Sequence, residues 1–174
     1  MMPQGVSVHA SAVLVGDRAV LIRGPSGAGK SRLAFELILA GRAGQLPPAV
    51  LVGDDRVHLD TVAGQLWVRP ARELAGLIEI RGLGIRRIEH VGQAEVGLVV
   101  DLAAEDADRL PATEALTTLV EGVKLPRIPV NPRFSPLPLI VAALTTTGGT
   151  GAAQPSADCP KGIANHISPT IATE

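Results

Sequence analysis

Eight consecutive residues early in the chain match a pattern that binds phosphate groups. The pattern is a glycine, four variable residues, a second glycine, a lysine and then serine or threonine. It is met at every fixed position by Gly24, Pro25, Ser26, Gly27, Ala28, Gly29, Lys30 and Ser31. Glycines let the backbone turn its N–H groups toward a polyphosphate. Lys30 is expected to reach the β- and γ-phosphates and the Ser31 hydroxyl to bind Mg²⁺, so the segment predicts a site for a nucleoside triphosphate.

The residues around this loop supply the context that the pattern needs. An apolar run over 19–22 precedes the loop, and apolar residues at helical spacing follow it over 33–40. A strand that leads through the loop into a helix brings the partial positive charge of the helix N-terminus to the phosphates. The alternative is a glycine-rich turn that matches the pattern by chance. Such a turn would not need a strand before it and a helix after it, so nucleotide binding is the favoured interpretation.

Two adjacent carboxylates, Asp54 and Asp55, follow the apolar segment 49–52, which is typical of a buried strand. Open α/β sheets bind ligands at the carboxyl ends of their strands, where an acid can face Mg²⁺. Two neighbouring acids also offer a metal contact together with a base for a hydroxyl nucleophile. The alternative is an Asp-Asp turn without a role in chemistry, because aspartate is common in turns.

Further charged residues are ambiguous when they are taken by themselves. Glu79 and Arg81 flank Ile80, and strand alternation would put both on one face, where they could bind metal and phosphate. The alternative is a solvated strand face with an ion pair. His9 by itself reads as a surface histidine, and Arg109 by itself reads as a charge on the surface of a helix.

Turn signals and apolar periodicity predict an α/β fold with a mixed sheet around the phosphate loop. We expect a hairpin over 11–15 and 18–22, a second over 57–59 and 65–68, strands at 49–52, 77–80 and 96–100, and helices at 33–40, 105–110 and 137–144. Residues 1–145 are predicted to form one domain. Residues 146–174 are rich in Thr, Gly, Ser, Ala and Pro without periodicity, so they are predicted to be a disordered tail.

Composition narrows the class of protein. Hydrophobic residues make up 46% of the 174 residues but aromatic ones only 2%, so Val, Leu, Ile and Ala must build the core. A formal net charge of −1 argues against a nucleic-acid partner. The single cysteine, Cys159, cannot form an internal disulfide, and we find neither a signal-peptide pattern nor a run that could span a bilayer. These features predict a soluble cytoplasmic domain without a membrane partner.

Taken together, these segments resemble the catalytic domain of HPr serine kinase/phosphorylase. The resemblance runs from about His9 to Leu144, and its most specific stretch is Ile78-Glu79-Ile80-Arg81-Gly82-Leu83-Gly84-Ile85. The other carriers, in family order, are His9-Ala10, the phosphate loop, residues 51–57, Asp108-Arg109 and residues 128–133. A phosphate loop alone is shared by many NTPases, whereas this ordered set is much narrower.

The resemblance implies a nucleotide-binding fold like that of phosphoenolpyruvate carboxykinase. It implies ATP- and Mg²⁺-dependent phosphorylation of a serine on the phosphocarrier protein HPr or a paralogue, and a homo-oligomer, since family members form hexamers. In the reverse reaction, inorganic phosphate removes the phosphoryl group and pyrophosphate is released.

The resemblance also implies a role for each matching residue. Lys30 binds phosphate, Ser31 and Glu79 hold Mg²⁺, and Asp55 accepts the proton of the serine hydroxyl. His9 and Arg109 match the remaining active-site positions, and Asp54 matches the neighbouring acid as a supporting residue. Apart from the resemblance, Arg81 could support the reaction by supplying positive charge near the phosphates.

Three departures from the family pattern affect these expectations. Because His9 stands close to the first residue, we expect the family's usual amino-terminal regulatory domain to be missing. The chain is also shorter between Ile85 and Val96 than in full-length members. In 129–134 one glycine is lost and the asparagine is replaced. The family ties this stretch to dephosphorylation, so we expect a kinase with weak or absent phosphorylase activity. A small-molecule kinase with the same loop, and a non-catalytic module that responds to ATP, remain the alternatives.

Overall fold

The computed structural model describes residues 5–148, which contain eleven strands and two α-helices. The strands are Val6–Val8 (β1), Ser11–Val15 (β2), Arg18–Arg23 (β3), Ala49–Gly53 (β4), Val57–Val62 (β5), Gln65–Pro70 (β6), Leu77–Ile80 (β7), Gly84–Arg87 (β8), Ala94–Leu102 (β9), Thr117–Val120 (β10) and Val123–Val130 (β11). The helices are Lys30–Arg42 (α1) and Pro136–Thr145 (α2). Within 5–148, neither is long and apolar enough to cross a membrane. Most of the predicted tail, from residue 149 onward, lies outside the described residues.

The predicted mixed sheet is confirmed. Nine strands form one sheet in which β1, β5, β6, β9, β3, β2 and β4 are neighbours in that order, and β11 pairs with β9 and with β10. The β3–β9 and β9–β11 pairs are parallel, while the remaining pairs are antiparallel. Strands β7 and β8 form a separate hairpin. Strand β3, which leads into the phosphate loop, therefore lies in the interior of the sheet.

The central strands are buried on both faces because alternate side chains enter two different apolar clusters. Val13, Val20 and Ile22 pack into the cluster that contains α1, whereas Ala12 and Leu21 pack into the cluster on the opposite face. Burial on both faces holds β2 and β3 firmly, and β3 leads directly into the phosphate loop while β2 pairs with β3 along its length.

Helix α1 begins directly after the phosphate loop. Gly29, at its N-cap, has a φ of 98°, a left-handed conformation that glycine adopts without steric cost. Leu33, Leu37 and Ile38 recur at helical spacing and are buried against the sheet. Packing of this stripe directs the N-terminus of α1 toward the carboxyl end of β3, as the sequence predicted.

The short helix predicted over 105–110 is wrong, because this segment forms turns between β9 and β10. The Asp108 N–H donates to the Asp106 carbonyl at 3.1 Å instead of to a residue four positions earlier. The Asp106 carboxylate is bound by Arg127 of β11 at 2.6 and 3.0 Å, and Arg127 also donates to the Ala115 carbonyl. A tertiary contact thus fixes a segment that is too short to be a stable helix by itself.

Asp101, at the end of β9, lies between two arginines in this network. Arg23 donates to its two carboxylate oxygens at 2.7 and 2.8 Å, and Arg127 donates at 2.5 Å. Burial opposes ionisation of Asp101, but the hydrogen bonds and positive charges of Arg23 and Arg127 outweigh it and lower the pKa of this carboxyl. The Arg127 hydrogen bonds likewise lower the pKa of Asp106.

We expect this network to stabilise the fold at neutral pH and to lose its effect in acid. The contribution of Asp101 is fully present above the pKa of an unfolded aspartate, about 3.9, and is lost as pH falls through the lower folded pKa. Asp101→Asn removes the charge that strengthens these hydrogen bonds and should therefore lower the free energy of unfolding by about 2 kcal/mol at pH 7. Urea unfolding between pH 7 and pH 3 should show this difference shrinking below pH 4.

Asp17→Asn is the matched control, because Asp17 is an exposed aspartate on the β2–β3 turn. Its unfolding profile should follow that of the parent. An Asp101→Asn protein whose loss of stability is the same at pH 3 and at pH 7 would contradict the assignment.

Candidate active site

The predicted loop and acids meet at one edge of the sheet, in a cleft of about 780 Å³. Strand β2 is antiparallel to both β3 and β4, so the ends of β3 and β4 lie beside the start of β2. The phosphate loop after β3 is thereby brought near Asp55 after β4 and His9 before β2. The cleft is lined by His9, residues 26–33, Phe35, Glu36, Asp55, residues 79–81 and residues 132–136.

Backbone shape at two glycines explains why the loop pattern needs them. A Cβ atom at Gly24 would lie 3.0 Å from the Leu102 Cβ and carbonyl oxygen, so the loop packs closely against the end of β9. At Gly29 a Cβ would meet nothing within 4 Å, and glycine serves there for its left-handed backbone. The loop is thus anchored at its start and open at its end, where α1 begins.

Lys30 rests against its own loop. Its side chain is buried, and Nζ donates to the carbonyl oxygens of Gly24 and Pro25 at 3.0 and 3.1 Å. Gly24 and Pro25 do not line the cleft, whereas the loop from Ser26 to Ser31 does. The ammonium group is therefore held at the loop by two of its three N–H donors, and Lys30 itself lines the cleft, so the third donor is free to bind an anion there.

His9 and Asp55 form a pair whose side chains are 50% and 66% exposed, and His9 Nε2 lies 3.0 Å from Asp55 Oδ1. Asp55 has a φ of 64°, and the Arg56 N–H donates to the Asp54 carbonyl at 2.7 Å across it. This tight turn sends the Asp54 side chain into the interior and the Asp55 side chain into the cleft. A left-handed backbone is costly for most residues but is tolerated by aspartate and asparagine.

Glu79 and Arg81 both line the cleft, although β7 ends at Ile80 and Arg81 lies in the turn that follows. Glu79 is anchored through its backbone: its N–H donates to Asp54 Oδ2 at 3.1 Å. Asp54 is buried and does not line the cleft, and its other carboxylate oxygen accepts from Ser11 Oγ at 2.6 Å. Sequence reasoning missed Ser11, because an unremarkable serine in a strand gives no local signal.

The donor set of the cleft fits a magnesium ion shared with phosphate. Within residues 5–148 there is no group of three His, Cys, Asp or Glu side chains that could hold a metal on their own. Ser31 and Glu79 instead offer a few hard oxygen ligands in the cleft that the phosphate loop lines. Mg²⁺ is commonly bound in this way, by one or two protein ligands and the oxygens of substrate phosphates.

Arg109 is a predicted catalytic residue that the structure does not bring to the cleft. It is exposed on the turn segment between β9 and β10 and does not line the cavity. Its role at the active site stays a prediction. Two arginines that sequence reasoning did not single out, Arg32 and Arg133, line the cleft instead.

The fold and the cleft define a class of protein: a mixed α/β domain in which a glycine-rich loop of the phosphate-binding pattern and carboxylate side chains line one cleft. Comparison with known proteins names the family. Residues 1–147 match the family model described as HPr Serine kinase C-terminal domain. The chain therefore belongs to this family, as the ordered motifs predicted.

Individual relatives agree with the family model. The chain is 35% identical over 139 residues to an HPr kinase/phosphorylase of Streptococcus thermophilus, which covers 73% of this chain and 42% of the relative. It is 36% identical over 154 residues to an HPr kinase/phosphorylase of Treponema pallidum, covering 80% and 46%. The chain thus spans less than half the length of the curated relatives it matches.

A solved structure confirms the fold. The Hpr(Ser) kinase/phosphatase from Coxiella burnetii superposes with a TM-score of 0.63 at 28% sequence identity. The match covers 80% of this chain and 93% of the other. The mixed α/β architecture is therefore shared with a protein whose name describes phosphoryl transfer at a serine.

Proposed function

We propose that this chain is a protein serine kinase that transfers the γ-phosphoryl group of ATP, with Mg²⁺, to a serine hydroxyl of an HPr-type phosphocarrier protein. One observation carries the proposal: a phosphate loop with its lysine and an exposed carboxylate–histidine pair line the same cleft. Family membership supports the acceptor, since the relatives are named for HPr. A cytoplasmic location and a homo-oligomeric assembly remain predictions that accompany this proposal.

The phosphate loop supplies binding and charge. Backbone N–H groups of 27–31, at the start of α1, bind the phosphates, and Lys30 binds phosphate oxygens with the N–H donor that the Gly24 and Pro25 carbonyls leave free. Ser31 and Glu79 would hold the metal, which would neutralise negative charge on the phosphates. Arg81 and Arg133 line the same cleft and add positive charge where negative charge develops in the transition state.

Asp55 is the base in this mechanism. Its carboxylate accepts the proton of the acceptor serine while the serine oxygen bonds to the γ-phosphorus and the bond to the β-phosphate oxygen breaks, releasing ADP. The exposed side chain is reachable by a residue on another protein. His9, hydrogen-bonded to Asp55 Oδ1, restricts the carboxylate to an orientation toward the cleft.

We expect phosphorolysis to be much slower than the kinase reaction. Residues 132–134 of the segment that departs from the family pattern line the cleft, and Phe134 is 63% exposed. Just before them, Asn131 Oδ1 accepts from the Arg133 N–H at 3.0 Å. The phenyl ring of Phe134 stands where the family pattern has an asparagine, and a phenyl ring cannot hydrogen-bond to attacking inorganic phosphate. Release of pyrophosphate from serine-phosphorylated HPr measures this rate, and rates equal in both directions would contradict the expectation.

The kinase itself is tested by incubating the chain with γ-labelled ATP, Mg²⁺ and purified HPr, and mapping the label by mass spectrometry. We expect label on one HPr serine and none on HPr in which that serine is alanine. ATP binding without labelled HPr would overturn the proposal in favour of another acceptor or of a non-catalytic nucleotide module. A metabolite screen with the same labelled ATP separates those two cases.

A further inference from the structure

Asp54 is buried and both of its carboxylate oxygens accept hydrogen bonds, whereas the side chain of its neighbour Asp55 is exposed. It is 2% exposed, and Ser11, which is fully buried, donates its hydroxyl to Oδ1 at 2.6 Å. The Glu79 N–H donates to Oδ2 at 3.1 Å. In the described range, every buried side-chain nitrogen or oxygen atom has a hydrogen-bond partner, and both oxygens of this carboxylate serve as acceptors. The group thus joins the start of β2, the end of β4 and the middle of β7.

The hydrogen bonds of Asp54 matter because the β7–β8 hairpin is not part of the nine-stranded sheet. In the described range, the hydrogen bond from Glu79 N–H to Asp54, which directly follows β4, is the one that β7 itself makes outside its hairpin. Just after β8, the Val91 N–H also donates to the Leu51 carbonyl of β4 at 2.9 Å, but that bond lies far along the chain from Glu79. Apolar packing of Ile78 in the α1 cluster also holds the hairpin, but such packing is not directional. A hydrogen bond to the backbone of Glu79 fixes where its side chain begins.

We propose that Asp54, braced by Ser11, is a positioning residue that holds Glu79 opposite the phosphate loop. The inference rests on the proposed function, because it assigns Glu79 to the metal that accompanies ATP. Asp54 does not reach the cleft, so it acts through its hydrogen bond and not through contact with the reacting atoms. Hydrogen-bond partners of metal ligands typically contribute about 10- to 100-fold to metal affinity.

The alternative role for Asp54 is electrostatic, with its negative charge attracting the metal through space. Asparagine separates the two roles. The Asp54→Asn side chain has the same shape, its carbonyl oxygen can accept from the Glu79 N–H, and its amide can donate to the Ser11 hydroxyl. The charge is lost while the bond to Glu79 is kept. Asp54→Ala loses both.

The test is calorimetric titration of ATP with and without Mg²⁺, which needs no acceptor protein and no turnover. We expect Asp54→Ala to weaken binding of ATP with Mg²⁺ by about tenfold or more. Binding of ATP without Mg²⁺ should stay within about threefold of the parent, because the phosphate loop is untouched. Asp54→Asn should stay within about threefold of the parent under both conditions.

A double variant adds a readout that a general loss of stability would not give. In a Glu79→Gln background, Asp54→Ala should weaken binding further by less than about twofold, since residues that act through one another are not additive. If Asp54→Ala does not fold, Asp54→Ser replaces it, because its short hydroxyl cannot reach Glu79.

Three results would overturn the inference. The first is an Asp54→Asn protein that binds ATP with Mg²⁺ as weakly as Asp54→Ala does. The second is an Asp54→Ala protein whose ATP affinity depends on Mg²⁺ as strongly as that of the parent. The third is a double variant in which the losses of affinity from Asp54→Ala and Glu79→Gln add fully. Each of them leaves the kinase proposal standing, provided that the parent binds ATP. A parent that does not bind ATP removes the basis of both.

Discussion

Asp55→Asn is expected to reduce the rate of phosphoryl transfer by about 10²- to 10⁴-fold, the usual contribution of a general base. The amide cannot accept the serine proton, yet its shape is nearly that of the carboxylate. Affinity for ATP with Mg²⁺ should stay within about threefold of the parent, because the phosphate loop holds the nucleotide. Single-turnover transfer to HPr measures the rate, and calorimetry measures the affinity.

Asparagine is the appropriate substitution at this position because of the backbone. Asp55 has a φ of 64°, a conformation that asparagine tolerates, whereas alanine there would add strain of about 1 kcal/mol. A reduced rate in Asp55→Asn would therefore reflect the loss of the base and not a change in the backbone of the turn. Asp17→Asn, on the exposed β2–β3 turn, is the control of matched chemistry. Transfer by Asp55→Asn at the parental rate would show that another group takes the proton.

Lys30→Ala is expected to lower kcat/KM for ATP by at least about 10³-fold, because the change removes a cation that is proposed to bind the β- and γ-phosphates. In contrast to Asp55→Asn, ATP affinity should fall as well. The fold should lose only about 1 kcal/mol, since the Gly24 and Pro25 carbonyls each lose one hydrogen bond at a loop that water can reach. Steady-state kinetics and urea unfolding measure the two effects.

Two further lysine variants sharpen this expectation. Lys30→Arg should not restore activity, because a planar guanidinium is wider than the ammonium group that the loop encloses. Lys124→Ala removes an exposed lysine from β11, away from the cleft, and should leave the kinetics unchanged. A Lys30→Ala protein that kept a tenth of the parental kcat/KM would contradict the role of this lysine.

Several elements could be predicted because their causes lie close together in the sequence. The β2–β3 and β5–β6 hairpins turn at Gly16-Asp17 and Ala63-Gly64, and the turn residues Gly16, Ala63 and Gly64 have positive φ. Helix α2 begins with Pro136 at its first turn, a position where proline is favoured. In each case a few neighbouring residues decide the conformation.

Strand β11 could not be predicted in this way, since Pro126 and Pro129 lie within it and proline is rare in sheet interiors. Its first half pairs with β10 and its second half with β9, so each half has a side without a named strand partner. A missing N–H is tolerated on such a side. The turns at 105–110 were mispredicted for a related reason, because Arg127 binds Asp106 from 21 positions away.

The sequence by itself determined the phosphate loop, because the loop acts through the backbone of eight adjacent residues and the helix that follows them. Tertiary structure alone decided which acids face that loop and which one is buried. His9 meets Asp55 from 46 positions away, and Ser11 meets Asp54 from 43. Asp54 in turn meets the backbone of Glu79 from 25 positions away. Such contacts depend on strand order and register, which no local pattern specifies.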